Sequence, residues 1–214
     1  MSVSSVRPPP SSFPSINTQN VTKGTVLHRT HGSSFRPAQF NPCMGQPTRF
    51  APFQDSAGAC VPTLYAATSR EAAAFESIFH DIEPTAVFKT VRLDVIESRS
   101  VSRIAPKRDL LLAGLFAPDL KVWGISRGDL IETPKSTYGQ TVLWAQAIHG
   151  ARADVDGLLW TSPQCDPDRC VILFEDRVSE GDFQVHDSIE VGADADLLLE
   201  IRAFGLRAGI TIIS

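Results

Sequence analysis

No Cys-x-x-Cys pair occurs among the four cysteines, Cys43, Cys60, Cys165 and Cys170, so the usual zinc-site spacing is missing. Cys165 and Cys170 stand close enough in sequence for a disulfide, yet no secretory leader pattern accompanies them. The expectation is therefore four free thiols in a reducing cytoplasm. Long apolar runs are also lacking: the longest, Leu110 to Ala117, is too short to span a bilayer and contains Gly114. An excess of positive charge is also lacking. The formal net charge of -4 argues against binding nucleic acid through general electrostatics. Zinc-protease, P-loop, dinucleotide-fingerprint and G-x-S-x-G motifs are all absent. His28 and His31 have no further metal ligands at a suitable spacing, so no metal centre is expected.

What remains is a chain of 214 residues, long enough for one domain with a sizeable core. Residues 1–22 are dominated by Ser, Pro, Asn and Thr and include Pro8-Pro9-Pro10. Such a segment buries too little apolar surface to offset its ordering entropy, and reads as a flexible or surface-draped arm before a single domain over 23–214.

The most informative stretch runs from Thr63 to Asp81. Leu64-Tyr65-Ala66 reads as a short strand, and Thr68 with Glu71 has the capping-box spacing of a helix start. Ala72, Phe75, Ile78 and Phe79 share one face of that helix, with Glu76 at its margin. Taken alone, Glu76 is an ordinary boundary carboxylate. Elsewhere, Thr25 to Thr30 reads as a strand, and 31–59 as a long loop punctuated by phenylalanines with Arg29 and Arg49 near its ends. Alternation over Ala86–Ile96 predicts a strand, polar residues over Ser98–Arg108 a loop, and Leu110–Phe116 a short helix stopped by Pro118. Residues 124–134 read as a connector. Tyr138–His149 is a second helix, capped by Ser136 or Thr137 and ended by Gly150. Leu158–Ser162, Val171–Phe174, Leu197–Ile201 and Ile210–Ile213 complete the strands. Strands outnumber helices without regular alternation, which predicts an α+β fold with a mixed or antiparallel sheet and flanking helices.

The ordered series Leu27-His28-Arg29, Phe40-Asn41-Pro42, Thr48-Arg49-Phe50, Leu64-Tyr65-Ala66-Ala67, Glu76 to His80, Thr133-Pro134, Tyr138, Trp144 to His149 and Asp156 to Ser162 resembles the RES-domain family. That family is named for its Arg, Glu and Ser residues. The resemblance covers roughly Thr25 to Val178, and each motif is weak by itself. It implies an ADP-ribosyltransferase-like fold and the toxin half of a bacterial toxin–antitoxin pair. It also implies NAD as substrate with inorganic phosphate as co-substrate, no metal, and a helix-turn-helix antitoxin as protein partner. By the same resemblance the family's arginines map to Arg29 and Arg49, its tyrosine to Tyr65, its glutamate to Glu76 and its serine to Ser162.

Those residue types suit cleavage of a nicotinamide–ribose bond, which leaves positive charge on the sugar. Glu76 would stabilise that charge, and Tyr65 would stack on the nicotinamide. Arg29 and Arg49 would hold pyrophosphate, the attacking phosphate, or one of each, and Ser162 would donate to a ribose or phosphate oxygen. Transfer of ADP-ribose to a protein, or a non-catalytic binding role, are the competing expectations. Oligomeric state is left open, with a homo-oligomer among the possibilities.

Overall fold

Two segments, Gly157–Thr161 and Arg169–Phe174, are almost continuously apolar and buried, the pattern of strands covered on both faces. They lie at the middle of the computed structural model, which describes residues 6–83 and 85–214. In chain order the structure has β1 (Thr18–Val21), β2 (Leu27–Gly32), the short hairpin β3 (Phe53–Gln54) and β4 (Cys60–Val61), β5 (Thr63–Ala67) and α1 (Arg70–Phe75). β6 (Thr90–Arg92), α2 (Leu93–Glu97), β7 (Arg99–Pro106) and β8 (Leu110–Gly114) follow. Three helices come next, α3 (Ala117–Val122), α4 (Arg127–Leu130) and α5 (Tyr138–Ala151). β9 (Gly157–Thr161), β10 (Arg169–Phe174), β11 (Phe183–Glu190), α6 (Ala195–Arg207) and β12 (Thr211–Ile213) complete the order.

Eight strands form one sheet in the order β1-β8-β9-β10-β5-β2-β7-β11, antiparallel throughout except for the parallel pair β8–β9. The α+β class and the mixed sheet are as the sequence predicts. Register fixes which residues share a face. Ile172 opposes Tyr65 and Cys170 opposes Trp160, and this face packs against α1 and α5. The other face carries Leu27, Leu64, Ala66, Leu159, Val171 and Leu173, closed by Ala38 and Phe40 of the long loop.

Several expectations are corrected. The supposed loop Ser98–Arg108 holds β7, whose polar serines are buried and bonded within the sheet: Ser102 meets His31 Nε2 at 2.7 Å and donates to Ser188 at 2.8 Å. The expected helix over Leu110–Phe116 is instead the strand Leu110–Gly114, and Pro118 lies in the first turn of α3, where its missing N–H costs nothing. Only Thr90–Arg92 of the alternating run pairs as a strand before α2 begins. Leu197–Ile201 belongs to α6, capped by Asp194, with Leu197, Ile201 and Gly205 buried one turn apart. Three consecutive leucines masked that period. Of the flexible or surface-draped arm expected over 1–22, residues 1–5 lie outside the described residues, and residues 6–22 lie along the fold. Trp144 Nε1 donates to the Arg7 carbonyl at 2.8 Å, Phe13 meets Trp123 edge-on, and β1 pairs with β8. Cys43 and Cys60 form a disulfide, correcting the expectation of four free thiols; Cys165 and Cys170 are free and buried. No described helix is long and apolar enough to cross a membrane.

Candidate active site

Helix α1 is short and pinned at both ends by the segment between β9 and β10. Its N-cap is Ser69, one residue beyond the expected Thr68, and Ser69 Oγ accepts from Ala72 N at 3.0 Å. Asp168 explains the displacement, because it takes hydrogen bonds from both Thr68 Oγ1 (3.1 Å) and Ser69 Oγ (2.7 Å). At the other end the helix stops at Phe75, and Glu76 is the C-cap residue rather than a position on its margin. Ser162, fully buried at the end of β9, donates to Glu76 Oε1 at 2.5 Å. Its oxygen accepts the backbone N–H groups of Gln164 (3.1 Å) and Cys165 (3.0 Å). Burial raises the Glu76 carboxyl above its ordinary range, while the Ser162 hydrogen bond and the nearby Arg49 charge oppose that rise.

Arg49, on the long loop, lies near enough for its charge to act on this carboxylate. Its Nη1 donates to Thr133 Oγ1 (3.2 Å) and to the Thr133 carbonyl (3.4 Å), and its guanidinium lies over the Tyr138 ring, 5.3 Å from the centroid. Thr141 donates to the Arg49 carbonyl. The Tyr65 hydroxyl bonds both neighbours of Arg49: Phe50 N donates to it at 3.0 Å, and Thr48 Oγ1 lies at 3.0 Å. Thr48 Oγ1 in turn donates to the Ala51 carbonyl. That orders the chain as Tyr65 O–H to Thr48 O–H to carbonyl, so Tyr65 has no donor capacity left. Burial also pushes the phenol pKa up, keeping it protonated.

Glu76, Ser162, Arg49 and Tyr65 are thus brought into one neighbourhood. Arg29 is not. His28 pairs with Ala67, so His28 and Ala67 share the Tyr65 face and Arg29 points to the opposite one. Its Nη1 donates to the Pro37 (2.8 Å) and Arg36 (3.4 Å) carbonyls, and burial lowers its pKa to about 10. Thr48, Thr133 and Tyr138 join the neighbourhood although no role is expected of them; their signal is that each stands in the ordered series of motifs, and Tyr138 opens α5.

A sequence model of the RES domain matches residues 26–194. The chain belongs to the RES domain family. The match spans Arg29, Arg49, Tyr65, Glu76 and Ser162, and ends before α6 and β12, which therefore lie beyond the family region. The fold is similar to that in the crystal structure of the M. tuberculosis MbcT-MbcA toxin-antitoxin complex, with a TM-score of 0.60 and 19% sequence identity. The alignment covers 86% of this chain and 92% of that chain. No curated protein sequence matches it. Within the RES domain, its Glu–Ser pair touches directly, whereas its two candidate arginines are separated by the sheet. Among the described residues, no group of three or more His, Cys, Asp or Glu side chains could hold a metal ion.

Proposed function

We propose that this RES-domain protein is an NAD-consuming toxin, cleaving the nicotinamide–ribose bond with inorganic phosphate as acceptor. The observation that carries the reading is the half-buried Glu76 carboxylate, held by Ser162 at 2.5 Å and influenced by Arg49. The electron pair of the breaking C–N bond stays on the nicotinamide nitrogen, which leaves neutral and needs no acid. Positive charge develops on the ribose carbon, where a carboxylate fixed before the reaction is worth most. A phosphate oxygen then forms the new bond, giving ADP-ribose 1-phosphate. Arg49 supplies the cationic donor for pyrophosphate or the incoming phosphate. Arg29 serves the fold, and Tyr65 acts by anchoring the loop that carries Arg49.

An antitoxin with a helix-turn-helix domain is the proposed partner, and the cytoplasm the proposed location. Purified protein should consume NAD only when phosphate is supplied, releasing nicotinamide and ADP-ribose 1-phosphate. Equal turnover without phosphate would replace phosphorolysis by hydrolysis. Label from NAD appearing on protein in a cell extract would replace it by transfer to a side chain.

A further inference from the structure

The guanidinium of Arg49 offers five N–H donors, and among the described residues only Nη1 meets protein acceptors. Arg49 is 9% exposed, yet its Nε and Nη2 are not among the buried side-chain nitrogens and oxygens without a partner. Among the described residues those donors meet no acceptor. A guanidinium on a long stem loses rotamer freedom when it binds, and that cost falls if the group is already fixed. Two contacts fix it here. Thr133 holds one edge through its hydroxyl and carbonyl, and the Tyr138 ring covers one face at 5.3 Å. Thr133 and Tyr138 are themselves tied across the start of α5, because Thr137 Oγ1 donates to Pro134 O at 2.8 Å between them. The Tyr138 hydroxyl has no hydrogen-bond partner among the described residues, so the ring is what its position supplies to Arg49.

We propose that Tyr138 and Thr133 form a two-sided clamp that pre-orients Arg49 as the anion-binding donor of the site, making Tyr138 a positioning residue. The inference deepens the NAD reading, but it predicts anion binding whether or not NAD is the substrate. The ligand class is a phosphate or pyrophosphate oxyanion, whose paired oxygens match the free guanidinium edge.

The test is calorimetric titration of the full-length protein with inorganic phosphate and with ADP, alongside NAD turnover. Tyr138→Leu should weaken ADP binding by about 5- to 30-fold, the span of a partly desolvated cation–π contact. Tyr138→Phe should restore affinity to within about threefold of wild type, since it keeps the ring, and Thr133→Val should cost about threefold. In an Arg49→Ala background Tyr138→Leu should have no further effect, because it acts through Arg49. Additive losses, or a Tyr138→Phe variant as weak as Tyr138→Leu, would overturn the clamp, as would wild-type protein that binds neither anion. Normal anion binding without NAD turnover would remove the NAD reading and leave the clamp standing. Melting temperatures separate misfolded variants, and a misfolded Tyr138→Leu transfers the decision to Thr133→Val and Tyr138→Phe.

Discussion

The Ser162 hydroxyl donates to Glu76 Oε1 at 2.5 Å while its oxygen receives two backbone N–H groups, so the serine is oriented before it meets the carboxylate. Glu76→Gln should lower NAD turnover by roughly 100-fold or more, the scale of losing one preorganised electrostatic group. The same substitution should not lower the melting temperature at neutral pH. The folded-state pKa of Glu76 is raised, so the folded chain holds its proton more tightly than the unfolded one. Stability is then fully present below the ordinary glutamate pKa and falls as pH rises through the raised value, leaving a net cost at pH 7 that glutamine removes. The turnover profile carries a second sign. Activity needs the ionised form, and Ser162 pulls the Glu76 pKa down, so Ser162→Ala should shift the acid limb to higher pH. An unmoved limb would dissociate Ser162 from the titration of Glu76.

Arg29 and Arg49 should fail in different ways. Replacing Arg29 leaves the Pro37 carbonyl without its donor, while the Arg36 carbonyl keeps the Gln39 N–H, so Arg29→Met should cost about 2 kcal/mol of stability. Below its melting temperature that variant should bind NAD normally. Arg49→Lys retains charge but not the planar fork, and should raise the KM for NAD by about 10- to 100-fold with a smaller change in melting temperature. Denaturant midpoints and initial rates on the two variants decide the assignment. A turnover defect confined to Arg29→Met would place it back in the site.

The pieces legible in the sequence were those with a local physical signature. The short apolar runs ending in Thr161 and Phe174 read as buried strands, and Tyr138 to His149 carried a helical period. Misread elements owe their form to partners far along the chain. β7 is polar, yet it is a strand because β2 and β11 supply hydrogen-bond partners for its backbone and for Ser102. The site divided in the same way. Glu76 and Ser162 are 86 residues apart and meet only because β9 ends beside the C-cap of α1. Family order groups them with Arg29, whose side chain lies on the other face of the sheet. Only the register of β2 against β5 shows which side of the sheet each arginine occupies.

Tyr65→Phe separates two roles. A ring that stacks on nicotinamide would work without its hydroxyl. The structure spends that hydroxyl on Thr48 and Phe50, the residues flanking Arg49. Removing it strips a partner from the Phe50 N–H, at a cost of about 1–3 kcal/mol if the group stays dry, and frees the loop around Arg49. Tyr65→Phe should therefore lose both stability and NAD affinity. A variant with wild-type KM would favour stacking instead.

The Cys43–Cys60 disulfide closes a loop with a sequence separation of 17 that contains Thr48, Arg49 and Phe50. Closing a loop of this length removes chain entropy worth about 3 kcal/mol from the unfolded state. Denatured protein prepared without reductant should show two titratable thiols, Cys165 and Cys170, and four after reduction. Reduction of the folded protein should lower its stability by up to that amount and raise the KM for NAD several-fold, because the Arg49 loop then rests on its non-covalent contacts with Tyr65, Thr141, Thr133 and Tyr138. Reducing cytoplasm works against such a bond, so thiol counting on protein trapped in living cells decides which form operates there. Four thiols in the trapped protein, with the NAD affinity of the reduced form unchanged, would show that side-chain contacts alone hold Arg49 in place.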